Sequence, residues 1–85
     1  MMPIEQVEAL LSKAFPGETV QVDNPQGDGE HYSVLIVSGQ FAGKSMVEQH
    51  QMVYAALGGA MRAAIHAMAL KTYTPDQWAK RGGRA

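Results

Sequence analysis

The chain has 85 residues, of which 46% are hydrophobic and 18% charged, with a formal net charge of −1 and no cysteine. This length leaves room for one hydrophobic core, and the near-neutral charge excludes a general electrostatic attraction to nucleic acid. The lack of cysteine excludes disulfides and any metal site built from thiolates of this chain.

The first segment predicts a helix over residues 3–15. Ile4, Val7 and Leu11 recur at helical spacing, and Pro16-Gly17 ends the pattern. Acidic residues stand in this segment where a signal peptide would carry positive charge, and no apolar run approaches the ~18 residues that a membrane helix needs. We therefore expect a cytoplasmic protein with no membrane contact. We also expect one domain over residues 1–85, with a frayed tail at 80–85.

Two strands are expected next. "TVQVD" alternates valine with polar residues, and "HYSVLIVS" follows the turn-rich "NPQGDGE". The pattern predicts a hairpin with a long acidic tip. The run Val34–Val37 is apolar on both faces, so the second strand is expected at the centre of the sheet.

A central helix is expected from Ser45 onward. Ser45 and Glu48 fit a capping box, in which each side chain pairs with a free backbone N–H of the first turn. The apolar stripe is assigned to Met46, Val53 and Leu57, continued by Ala60 or Met61, and Gly58-Gly59 weakens or ends the helix.

Residues 63–72 are ambiguous by local pattern. Their alanine, methionine and leucine content favours a helix. As a strand, the same residues place His66, Met68 and Leu70 on one face. A short last helix is clearer, because Thr74 can cap it, Pro75 fits its first position and Gln77 completes a second capping box.

Charge is divided unevenly along the chain. Residues 1–43 carry one lysine against six acids, a net −5, and residues 44–85 carry six bases against two acids, a net +4. An ordinary solvated surface and a docking face for DNA or an acidic partner both fit this division. The candidate face consists of Lys44, Arg62, Lys71, Lys80 and Arg81.

Catalytic motifs are poorly represented. "GKS" at 43–45 lacks the glycine that a P-loop requires at position 38, where Ser38 stands instead. No cysteine nucleophile exists, and no serine lies beside a plausible His-acid pair by motif. We therefore expect no enzyme activity.

The three histidines carry the remaining chemistry. His50 falls on the apolar stripe of the central helix and is expected to be a packed, hydrogen-bonded residue. His31 and His66 lie on separate predicted strands and could converge on one iron, as the histidine pair does in a Rieske cluster. Two ligands leave a four-coordinate metal half satisfied, so a partner would have to bring the others. An ordinary half-buried histidine is the alternative for each.

The second half of the chain resembles the BolA family, in the segments "FAGKSMVEQHQMVYAAL" and "IHAMALKTYTPDQW". The shared pattern runs Phe-x-Gly-x-Ser, His-x-x-Val-Tyr, Ile-His-Ala and Thr-Pro-x-x-Trp. In this chain it comprises Phe41, Gly43, Ser45, His50, Val53, Tyr54, Ile65, His66, Ala67, Thr74, Pro75 and Trp78. "GDGEHYSVLIV" further resembles the bacterial IbaG-like branch, which has a histidine in the hairpin loop.

The resemblance implies an α/β (α+β) fold of the BolA type, similar to a class II KH domain, with a three-stranded mixed sheet packed on helices. It makes residues 63–72 mainly strand and puts the "FAGKS" turn in a helix-turn-helix-like region. It also implies pairing with a monothiol glutaredoxin and a shared [2Fe–2S] cluster, in iron–sulfur trafficking or in iron and stress regulation. The ligands would be His66 and His31, together with the partner's cysteine and a bound glutathione.

The alternative that the family suggests is a DNA-binding transcriptional regulator of the stress response. Its surface would be the basic set from Lys44 to Arg81. The sequence does not distinguish a monomeric apo protein from a weak homodimer.

Overall fold

The computed structural model describes residues 4–24, 32–58 and 68–82. The regular elements follow the predicted order, with a short 3-10 turn before the second helix. They are α1 (Ile4–Ala14), β1 (Thr19–Asp23), β2 (Tyr32–Val37), the 3-10 turn Gly39–Phe41, α2 (Met46–Leu57), β3 (Met68–Tyr73) and α3 (Pro75–Lys80).

The strands form one mixed sheet in the order β1-β2-β3. β1 pairs antiparallel with β2, which makes the predicted hairpin, and β2 pairs parallel with β3. The apolar run of β2 therefore lies at the centre of the sheet, as expected from its two apolar faces. This arrangement confirms the predicted α+β fold with a three-stranded mixed sheet.

One face of the sheet packs against the helices. Val22, Val34 and Leu70 are partners across the three strands and belong to the same cluster as the buried α1 and α2 side chains. Phe15 and Phe41 close the cluster with ring centroids 5.3 Å apart. Burial of this apolar surface is the main force that holds the helices on the sheet.

The opposite face carries a smaller buried patch. Leu35 and Val37 are buried but lie outside the main core cluster. Because side chains alternate along a strand, they share this face with Lys71 and Tyr73 of β3. Tyr73 also contacts Trp78 of α3, with ring centroids 5.4 Å apart. α3 therefore packs beside the sheet at the end of β3.

The predicted helix boundaries agree with the structure. Ser45 and Glu48 form the complete capping box at the start of α2, and Thr74 and Gln77 form the one at the start of α3. α2 ends at Leu57, and Gly58 follows with φ 61°, a conformation that glycine adopts without steric cost.

The predicted stripe of α2 was wrong at its first member. Met46 is 57% exposed, whereas Gln49 is only 4% exposed. The buried side of α2 runs at four-residue spacing through Gln49, Val53 and Leu57. A polar residue takes the inward position because β3 offers it a hydroxyl partner at Thr72.

The strand assignment of residues 63–72 is confirmed for the part that is described, since β3 is a strand with Met68 and Leu70 facing the core cluster. Ala60, Met61 and residues 63–67 lie outside the described residues. Among the helices that are described, none is both long and apolar enough to cross a membrane.

Candidate functional site

The two predicted metal ligands, His31 and His66, lie outside the described residues, as does Arg62 of the predicted basic face. The strand starts that follow the two histidines in the sequence are described. Tyr32 opens β2 and Met68 opens β3, and these two residues are direct partners in the parallel register. Both are buried in the main core cluster. β2 and β3 therefore begin side by side at a well-packed end of the sheet.

Potential metal ligands do not cluster in the parts of the chain that the structure describes. Within residues 4–24, 32–58 and 68–82, no group of three or more His, Cys, Asp or Glu side chains could hold a metal ion. The third histidine, His50, is half-buried on α2. Its Nε2 atom is buried and has no hydrogen-bond partner among the described residues, so the hydrogen bond expected there is not made at that atom.

A buried polar network connects β3 to the loop before α2. The Thr72 hydroxyl donates to Gln49 Oε1 at 2.6 Å, and Gln49 Nε2 donates to the carbonyl oxygen of Lys44 at 2.9 Å. A longer bond of 3.5 Å reaches the carbonyl of Phe41. The network satisfies polar groups that would be costly to bury unpaired, and it fixes the "GKS" loop against β3.

Sequence reasoning missed Gln49. Its only signal is its position four residues before Val53 and eight before Leu57, which puts it on the buried side of the helix. Glutamine is usually an exposed residue, so its residue type alone predicts a solvent-facing position on the helix.

The first turn of α2 carries a charged cap. The backbone N–H of Ser45 donates to Glu48 Oε1 at 2.8 Å. This hydrogen bond, helped by the Ser45 side chain and the nearby Lys44 charge, lowers the pKa of Glu48 below its ordinary value. The charge of Lys44 is thus partly offset by an adjacent carboxylate.

The described members of the predicted basic face lie on two sides of β3. Lys71 and Tyr73 share the face away from α1 and α2, and the Arg81 guanidinium carbon lies 5.0 Å from the Tyr73 ring centroid. This distance is that of a cation–π contact. Lys80 is exposed in the last turn of α3, and the backbone of Lys44 is joined through Gln49 to the helix-facing side of β3.

An exposed apolar pair opens α2, and its first member adjoins β3. Met46 and Val47 are 57% and 66% exposed at the start of α2. The sulfur of Met46 lies 3.7 Å from the Thr72 hydroxyl oxygen, whose single proton is donated to Gln49 Oε1. The helix-facing side of β3 is therefore bordered by the exposed side chain of Met46, which the sequence pattern had assigned to the buried stripe of α2.

Comparison with known proteins places this architecture in a family. The sequence model of the family described as "BolA-like protein" matches residues 11–77. The chain is 45% identical over 80 residues to "Protein BOLA2" of Arabidopsis thaliana, covering 92% of this chain and 85% of that protein. It is 33% identical over 85 residues to the "DNA-binding transcriptional regulator BolA" of Escherichia coli (strain K12), covering 92% of this chain and 81% of that one.

The fold agrees with the same family. A crystal structure of a "bol-like protein" from Babesia bovis superposes with a TM-score of 0.81 at 28% identity, covering 96% of this chain and 95% of that chain. Together with the matched motifs on α2 and α3, these similarities show that the chain belongs to the BolA-like protein family.

Proposed function

We propose that this chain pairs with a monothiol glutaredoxin and holds a shared [2Fe–2S] cluster through His66 and His31. One observation carries the proposal: Tyr32 and Met68 are neighbours in the sheet, and these two histidines precede them in the sequence by one and two residues. Both histidines thus stand in the sequence directly before two strands that begin side by side.

The donor chemistry supports the proposal. Without cysteine, the chain can offer only imidazole nitrogens to an iron of this kind, so its two histidines form half of a site. The glutaredoxin cysteine and a glutathione thiolate would complete it. Such a cluster supplies one-electron and transfer chemistry, and replacement of thiolate by imidazole raises its reduction potential.

The first prediction concerns the ligand set. We expect the chain, mixed with a monothiol glutaredoxin, iron, sulfide and glutathione, to give a visible circular dichroism spectrum that differs from that of the glutaredoxin homodimer. His66→Ala should abolish the difference because the cluster loses an imidazole. His50→Ala is the matched control, since it removes the histidine that lies on α2. Equal spectra for the wild type and His66→Ala would contradict the proposal.

DNA binding is the second candidate function, and two observations favour it. Relatives from Escherichia coli and Vibrio cholerae bear the name "DNA-binding transcriptional regulator BolA". Lys71 on β3, Lys80 at the end of α3 and Arg81 directly after it are exposed. Phosphate contacts from such residues would make the affinity fall steeply with salt.

The two functions are separated by different variants. Charge reversal at Lys71 and Lys80 should weaken binding to duplex DNA in a gel-shift or anisotropy assay and leave the cluster spectrum in place. His66→Ala should do the reverse. If the charge-reversed protein binds duplex DNA as tightly as the wild type, the DNA-binding alternative fails for this surface.

A further inference from the structure

Among the residues that the structure describes, β3 is an edge strand with unpaired backbone groups. It pairs with β2 on one side only, and the carbonyl of Tyr73 accepts from the N–H of Ser38 at 3.0 Å on that side. Backbone polar groups alternate in direction along a strand, so the N–H and C=O of Leu70 and Thr72 point away from β2. No described residue forms a hydrogen bond to these outward groups.

The two sides of this edge differ in chemistry. On the helix-facing side, Met46 exposes apolar surface next to Thr72. On the other side, Lys71 is exposed, and Arg81 is exposed over the Tyr73 ring. A strand laid along β3 would therefore meet apolar surface with one set of alternate side chains and positive charge with the other.

We propose that the β3 edge binds an extended acidic peptide segment of a partner protein, which adds to the sheet as a fourth strand. The free groups of Leu70 and Thr72 would supply the backbone ladder, which is the source of affinity in strand addition. Alternate ligand side chains would be apolar, toward Met46, and acidic, toward Lys71 and Arg81. Partly exposed Tyr, Trp and Arg side chains are also typical of binding hot spots.

The charges at the β3 edge disfavour two other occupants, a second copy of this chain and a nucleic acid. A second copy of this chain would bring its own Lys71, Lys80 and Arg81 to the same edge, and like charges opposite each other destabilise a strand pair. A nucleic acid would gain little from the apolar side of the edge or from a chain with a net charge of −1. The proposal goes beyond the shared cluster and involves neither His31 nor His66.

The experiment uses the apo protein, labelled with nitrogen-15, and a capped heptapeptide in which valine and glutamate alternate. We expect saturable one-to-one binding, with the largest amide shifts at Leu70 and Thr72. Trp78 is the only tryptophan of the chain and lies against Tyr73, so its fluorescence reports on the same site. A peptide with N-methyl groups on the amides that face β3 should not bind, because it cannot form the ladder.

A charge reversal on each side of the molecule provides the matched pair of variants. Lys71→Glu should weaken binding of the valine–glutamate peptide by about tenfold or more. Lys13→Glu should leave the affinity unchanged, because α1 contacts β1 and α2, away from β3. Lys71 is exposed, so both variants are expected to fold, and their far-ultraviolet circular dichroism checks this.

Several outcomes would overturn the proposal. They are the absence of shifts at Leu70 and Thr72 at millimolar peptide, equal affinity for the N-methylated peptide, or equal affinity of the Lys71→Glu protein. Stronger perturbation of the same amides by a single-stranded oligonucleotide would assign the edge to nucleic acid instead. Concentration-dependent loss of these signals without any peptide would assign it to a second copy of the chain.

Discussion

At the residue scale, the bond between Thr72 and Gln49 has the clearest energetic consequence. Both side chains are buried, at 2% and 4% exposure, and each supplies a partner to the other. Removing one partner leaves the other polar group unsatisfied in the core, which costs more than the net value of the hydrogen bond itself.

We therefore expect Thr72→Val, which keeps the shape of the side chain, to lower the free energy of unfolding by about 1–3 kcal/mol in urea denaturation. Gln51→Leu is the control, since Gln51 is exposed on the same helix. In a double-mutant cycle, Gln49→Leu combined with Thr72→Val should cost less than the sum of the two single changes. Additive losses would show that the two side chains do not depend on each other.

The charged cap of α2 makes stability depend on pH. The folded protein lowers the pKa of Glu48, so the carboxylate stabilises the fold above its unfolded-state pKa. This contribution is lost as the pH falls from the ordinary glutamate range through the folded-state value. Glu48→Gln should therefore flatten the acid side of the curve of unfolding free energy against pH. An unchanged acid slope would contradict the assignment.

Some side-chain positions could be predicted from the sequence and others could not. Glu48, Ser45 and the Thr74–Gln77 cap were predictable because capping depends on residues within one turn. The inward position of Gln49 was not, because it depends on a hydroxyl 23 residues away in the sequence. Met46 was misassigned because helical spacing alone does not say how far along the helix the contact with the sheet extends.

At the element scale, β3 shows how tertiary pairing overrides local propensity. Met68, Ala69 and Leu70 are all good helix formers, yet they form a strand parallel to β2. The family pattern resolved the ambiguity. The physical reason is that β2 has buried residues on both faces and takes partners along both edges. Such a central strand requires a third strand, and the chain provides it only after α2.

The connection between β2 and α2 depends on Phe41. This side chain is fully buried in the 3-10 turn and packs on Phe15 at the end of α1. Phe41→Ala should lower the free energy of unfolding by about 3–5 kcal/mol, because it removes a large apolar side chain and leaves a cavity. Phe41→Leu should restore much of the loss. A change below about 1 kcal/mol for Phe41→Ala would mean that the turn does not anchor the connection.

At the scale of the whole molecule, the uneven charge of the sequence becomes an arrangement in space. Asp23 lies on β1 at one edge of the sheet, and Lys71 lies on β3 at the other. Lys80 and Arg81 extend the positive side through α3. These charges could not be placed in space before the strand order was known.

Family and fold were predictable as a whole, because the motifs from Phe41 to Trp78 occur in order and their caps and turns agree with the structure. The IbaG-like branch, the cytoplasmic location and the limits of the domain at 1–85 stay predictions. So do the cluster ligands, since their assembly depends on a partner that supplies the remaining thiolates.

The central claim, that this chain ligates a shared cluster through imidazole, is tested most directly by pulsed electron paramagnetic resonance. The chain would be labelled with nitrogen-15 at its histidines and paired with unlabelled glutaredoxin, and the cluster would be reduced. We predict two nitrogen-15 hyperfine couplings in the wild type, one of them lost in His31→Ala and both lost in His66→Ala, which no longer shares the cluster. A reduced cluster without any nitrogen-15 coupling from this chain would contradict the claim.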